Sequence, residues 1–248
     1  MNKRGQITIF IIVGLLILGA ILIFFALKNN STNFSEEKIP IEIEPTYTFV
    51  DNCLKDIGIE AIYTIGQQGG YFFIFDKPYS NNSVSYYLYE KENYFPSKQD
   101  IEKEISLYVN ENLEFCIKNF ENFPDYEINA NSISTTTIIN EKDVELKINY
   151  PVTINKGNQT YYFEDFNSKI QIRLGYIYNA IEKIMIEQLK DRNSLCLSCL
   201  VDISKETNLE INVFDYEEDS ILFTIKDNES RIYNNPYQFK FLNQYSWK

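Results

Sequence analysis

Residues 7–27 read ITIFIIVGLLILGAILIFFAL and carry no charged side chain. About 20 such residues wound as one helix span a hydrocarbon layer ~30 Å thick, and no polar face interrupts the stretch, as a buried helix of a water-soluble domain would show. The segment therefore reads as a transmembrane helix. Lys3 and Arg4 precede it, and only Lys28 follows before Glu36 and Glu37. The bias of basic residues places residues 1–6 in the cytoplasm and the rest of the chain on the other side. A cleaved secretory signal has an apolar core of only ~7–15 residues ending at a small-residue site, so a retained signal anchor is the expectation.

The remainder is acidic. The net charge is -12, which repels phosphate backbones and leaves nucleic acid out of the expected partners. No histidine is present, which removes the commonest general base, the commonest zinc ligand and the serine-histidine triad. No cofactor and no metal site is expected. The 19 tyrosines and 18 phenylalanines accompany abundant Ile, Asn and Lys, all with A/T-rich codons, and read as core and strand residues rather than a glycan-binding face.

Residues 28–45 mix Asn, Ser, Thr and Glu with Pro40 and Pro45 and read as a flexible linker. Residues 46–248 then predict one extracytoplasmic α+β domain of amphipathic helices packed on antiparallel meander sheets, with candidate sub-boundaries near 124 and 194. Phe49, Val50, Cys53, Leu54, Ile57, Ala61 and Ile65 mark a first helix stopping at Gly66, and the aromatic run 71–75 and residues 84–89 read as strands. Ser97 and Asp100 cap a second helix, with a stripe running through Ile101, Ile105, Tyr108, Leu113, Cys116 and Ile117 to Phe120. Period-two alternation predicts a hairpin of 133–139 with 144–150 around residues 140–143, continuing through a turn at 156–158. A third helix, marked by Ile170, Leu174, Ile177, Ile181, Ile184 and Leu189, is expected across that sheet. Residues 209–213, 221–225 and 237–241 complete the strands.

Four cysteines in an exported domain read as two disulfides. Cys53 with Cys116 and Cys196 with Cys199 is the favoured pairing, because the first two share helical context and the last two are local. The Cys-x-x-Cys pair is also the alternative redox centre. Gln67, Gln68, Gly69, Gly70 and Tyr71 form a candidate interaction loop, since glycine permits close backbone approach, with a plain helix-to-strand turn as the simpler reading. Glu217 to Asp219 could hold calcium loosely but lack a loop of alternating oxygen ligands and read as a solvated turn, and Glu127, Glu164 and Asp165 are candidates for paired-carboxylate hydrolysis only as any acidic chain has some.

The start of the chain, Lys3-Arg4-Gly5-Gln6-Ile7-Thr8-Ile9-Phe10, resembles archaeal class III, pilin-like signal segments, which implies cleavage between Gly5 and Gln6. Phe10 stands where such pilins carry an acidic residue. The anchor together with FVDNCLKDIGIEAIYTIGQQGGYF at 49–72 resembles uncharacterised single-pass membrane proteins of small-genome archaea, a family that implies no activity. The functional expectation is a cell-surface or envelope protein, non-enzymatic, meeting membrane lipid through residues 7–27 and a protein or glycan partner at the cell surface. A pilin-like filament subunit and a thiol-disulfide oxidoreductase using Cys196 and Cys199 are the alternatives.

Overall fold

The computed structural model describes Gly14, residues 16–19, 39–73, 80–81, 84–217 and 219–245. The chain divides into two compact units, Met1–Pro40 and Ile41–Lys248. In the first, Gly14 and residues 16–19 are helical, with Leu16, Ile17 and Leu18 exposed; the rest of the expected anchor lies outside the described residues. Among the described residues no helix is long and apolar enough to cross a membrane.

The second unit is α+β. Its helices are α1 (Glu44–Gln67), α2 (Lys98–Ile117), α3 (Leu174–Gln188) and α4 (Leu197–Thr207). Pro45 and Glu44 suit the first turn of α1, where proline forfeits no helical hydrogen bond and an acidic group meets the positive end of the dipole. Ser97 and Asp100 form a reciprocal capping box at α2: the Asp100 N–H donates to Ser97 Oγ and the Ser97 N–H to Asp100 Oδ2, each at 3.2 Å. The helix ends at Ile117, earlier than its apolar stripe implies, because Lys118 and Asn119 adopt positive φ. Phe120 is still buried, carried inward by a 3-10 turn, Lys118–Phe120.

Two sheets lie beneath the helices. One contains β1 (Ser80–Asn81), β2 (Val84–Tyr89), β10 (Asn235–Gln244), β9 (Ser220–Ile232) and β8 (Glu210–Glu217) in that order, with β3 (Glu92–Asn93) paired to β2. The other is centred on β6 (Val144–Lys156). Strands β4 (Glu127–Ala130) and β5 (Ser134–Ile139) pair with β6, as does β7 (Gln159–Ile170) along most of its length. Alternation explains β6: Val144, Leu146, Ile148, Tyr150, Val152 and Ile154 are all buried, at every second position.

The first sheet is mixed, because β2 runs parallel to β10, with Tyr86 opposite Leu242, whereas the other pairings among the described residues are antiparallel. Stacked rings run across this junction: Phe223 on Phe241 at 4.7 Å, Phe241 on Tyr87 at 4.5 Å, then Tyr87 against Phe95 and Phe95 on Tyr178 of α3. Aromatic abundance here supplies core area between strands.

Four expectations are corrected. Residues 71–73 are not a strand: the Phe72 N–H donates to Glu104 Oε2 at 2.9 Å and its ring lies on Tyr108, so α2 holds the segment. Residues 74 and 75 lie outside the described residues. Ile170 ends β7 rather than opening a helix, and α1 runs through Gly66 to Gln67. Helix α3 meets the meander at its first turn, where the Gly175 N–H donates to Asn140 O; its far end packs on the other sheet, where Met185 and Gln188 meet Asn243 and Tyr245.

Candidate functional site: the cysteine pairs and the glycine turn

Each cysteine pair occupies a different physical setting. Cys53 on α1 and Cys116 on α2 are bonded with Cα atoms 5.7 Å apart, 63 residues separating them, and Cys53 is buried. Closing so long a loop restricts the unfolded chain by about 4 kcal/mol, so this bond is a staple between the two packed helices. Cys196 and Cys199 are also bonded, with Cα atoms 5.4 Å apart and a sequence separation of only 3. By the same reasoning that short loop contributes about 2 kcal/mol, a weaker structural justification for a bond between two half-buried residues.

The local architecture around the second pair is specific. Cys196 is the N-cap of α4, and its side chain makes no capping hydrogen bond. That position ordinarily carries an oxygen of Ser, Thr, Asp or Asn that accepts an N–H of the first turn. A disulfide sulfur is a poor acceptor, whereas a thiolate is a good one, and the positive helix end favours it further. Cys199 lies one turn in, its Sγ 3.7 Å from Glu187 Oε2 at the end of α3. Lys190 forms an ion pair with that carboxylate at 2.6 Å.

Beneath the pair sits Gln188, fully buried, whose Oε1 accepts the Cys196 N–H at 3.2 Å and the Tyr245 hydroxyl at 3.0 Å. Asn243 Nδ2 donates to the same hydroxyl at 3.1 Å. Burial drives the Tyr245 pKa upward, against a smaller lowering from Asn243, so it stays a neutral donor. Gln188 Nε2 has no hydrogen-bond partner among the described residues. Ahead of α4, Asp191 accepts from Ser194 Oγ at 2.5 Å and from the Asn193 N–H at 3.0 Å. These bonds to Ser194 and then Asn193 hold its pKa below the ordinary range and tighten the turn that presents Cys196. Leu197 and Val201 are 58% and 50% exposed on α4.

Sequence reasoning had Cys196 and Cys199 but neither Glu187 nor Gln188. The available signal was a glutamine four residues after Ile184, at a stripe position of α3 where an apolar residue belongs.

The 67–71 segment faces inward. Gly69 and Gly70 are buried at φ of 73° and 89°. A Cβ on Gly69 would stand 3.2 Å from Lys240 O, and one on Gly70 3.1 Å from Ile101. The Tyr87 hydroxyl donates to Gly69 O, the Gln67 amide to Gln238 O and the Ser85 N–H to Gln68 O. Tyr71 is half-buried, and burial, with Asp100 and Glu104 adding repulsion, pushes its pKa up to about 12. The geometry is that of a packed turn joining α1 to the first sheet.

The acidic residues are separately engaged: Glu164 accepts from the Tyr162 hydroxyl, Asp165 from Asn149 and Glu127 from Asn155. No group of ligating side chains suited to a metal ion occurs among the described residues. No protein-family model, curated protein or solved structure matches the chain.

Proposed function

We propose that the protein is a single-pass membrane protein that displays residues 46–248 outside the cytoplasm, as an envelope or cell-surface module for interaction with a protein or glycan partner. The observation that carries this reading is the Cys53–Cys116 bond between α1 and α2. Such staples persist in oxidising compartments and are rare in the reducing cytosol. The uncharged stretch 7–27 with basic residues before it supplies the anchor and the orientation.

The test is performed on cells producing the full chain. Membrane fractionation, protease addition to intact spheroplasts and thiol alkylation before and after reduction are read together. The reading expects recovery with membranes, release of a folded fragment by cleavage within residues 28–40, ahead of the unit that begins at Ile41, and Cys53 and Cys116 blocked until reduction. Recovery in the soluble cytosolic fraction with freely alkylated cysteines overturns it.

A further inference from the structure

The two disulfides divide by job, and the second is set up for exchange. Cys196 holds a cap position it fills poorly while oxidised and well as a thiolate. Gln188 adds an independent sign. The buried amide that grips the Cys196 backbone through Oε1 keeps a donor, Nε2, without an acceptor, and buried donors are ordinarily satisfied.

We infer that Cys196 and Cys199 form a redox-active pair that exchanges electrons with the thiols of an extended, cysteine-containing polypeptide, independently of the anchoring role proposed above. Both cysteines are half-buried; Cys196 stands at the N-cap of α4, whereas Cys199 lies one turn in with its Sγ 3.7 Å from Glu187 Oε2. That carboxylate repels an incoming thiolate from Cys199, so Cys196 is the sulfur that a substrate attacks. Leu197 and Val201, four residues apart on one face of α4, offer exposed apolar contact beside it for an unfolded chain.

The chemistry balances as follows. A substrate thiolate attacks Cys196 Sγ, a substrate–Cys196 disulfide forms, and the Cys196–Cys199 bond breaks with its electron pair leaving on Cys199 Sγ. That sulfur takes up a proton and can donate it to the neighbouring Glu187 carboxylate as a hydrogen bond. The second substrate thiolate attacks the substrate sulfur of the mixed disulfide and expels Cys196 as a thiolate at the helix N-terminus. The substrate dithiol has lost two electrons, which the cysteine pair holds. A low-molecular-weight disulfide in the surroundings reoxidises the pair by the same exchange.

The test uses the full chain in detergent, equilibrated through a series of glutathione to glutathione disulfide ratios, alkylated and read by mass spectrometry for each pair. The expected result is that Cys196–Cys199 passes from oxidised to reduced within the series while Cys53–Cys116 stays oxidised. A Cys199→Ser variant should trap a mixed disulfide at Cys196 when given glutathione disulfide, at least about tenfold faster than Cys196→Ser traps one at Cys199. Full oxidation of Cys196–Cys199 across the whole series overturns the inference, as does equal trapping by the two variants.

Discussion

Glu102 Oε1 accepts the Ile139 N–H at 2.9 Å, closing the outer edge of β5 with a side chain from α2. Four residues on, Ser106 Oγ accepts the Thr137 N–H at 3.1 Å, and after four more, Asn110 Oδ1 accepts the Thr135 N–H at 2.9 Å. Four helical residues advance about 6.0 Å and two strand residues about 6.8 Å. The near match lets one helix face satisfy three successive donors that would otherwise form an open sheet edge.

Replacing Glu102, Ser106 and Asn110 together by Ala leaves three strand donors without partners. The expected cost is about 3–6 kcal/mol, at roughly 1–2 kcal/mol each, with self-association through the bared edge. Urea denaturation and light scattering measure both; an unchanged midpoint and a monomeric variant would show that the ladder is incidental.

Asp227 is fully buried in β9, where Arg173 Nη2 donates to it at 2.6 Å, Arg173 Nε at 3.0 Å and Ser230 Oγ at 2.6 Å. Burial opposes the charge, but these bonds, the Glu229 N–H and the Arg173 charge outweigh it and hold the pKa below the usual aspartate value. A depressed folded value means the stabilisation is complete above the unfolded pKa of about 3.9 and is lost as pH falls through the folded one. Asp227→Asn should therefore lose about 3 kcal/mol at neutral pH, and the gap to the parent should shrink below about pH 4. A gap independent of pH would refute this.

Alkali acts in the opposite sense. Burial raises Tyr87, Tyr237 and Tyr245, and lifts Tyr150 to about 12, with Glu114 adding repulsion there. Their stabilising contribution is complete below the unfolded value of about 10 and is lost as pH rises through the folded values. Tyrosinate absorbance should rise in two stages, exposed rings first and buried rings only as near-ultraviolet circular dichroism collapses. A single smooth titration with the fold intact would contradict the burial.

Gly66 and Tyr237 should couple. A Cβ at Gly66 would clash with the Tyr237 hydroxyl, which donates to Ile62 O at 3.0 Å. Gly66→Ala is expected to cost about 1–3 kcal/mol through overpacking, and Tyr237→Phe about 1 kcal/mol through the lost hydrogen bond. Removing the hydroxyl relieves the tightest of these contacts and leaves the Cβ 2.9 Å from Cζ and 3.0 Å from Gln238 O, so the double variant should cost about 0.5–1 kcal/mol less than the sum. Simple additivity in thermal or urea denaturation would argue against the contact.

The disulfides should also separate by magnitude. Paired serine replacements at Cys53 and Cys116 should cost about 4 kcal/mol, and those at Cys196 and Cys199 about 2 kcal/mol. Equal losses in urea midpoint would mean loop length does not set the difference.

Local chemistry was visible along the chain wherever a few neighbouring residues suffice to specify a shape. Ser97 and Asp100 meet across one helical turn, and the residues of β5 and β6 announce their sheet by alternation around Asn140–Asp143, because side-chain direction repeats every second position. The aromatic run at 71–73 misled because ring-rich residues favour strands only when a neighbour strand is present, and here Glu104 of α2 takes the Phe72 amide instead.

Only the tertiary structure could bring Tyr86 beside Leu242, or set Gln188 of α3 and Tyr245 of the chain's end beneath Cys196. The sequence by itself determined periodicity, caps and the supply of cysteines, all governed by interactions within a few residues. Which distant strand lies alongside which, and which cysteine pair is buried between helices rather than presented at a helix end, was decided by the joint burial of surfaces that no single segment contains.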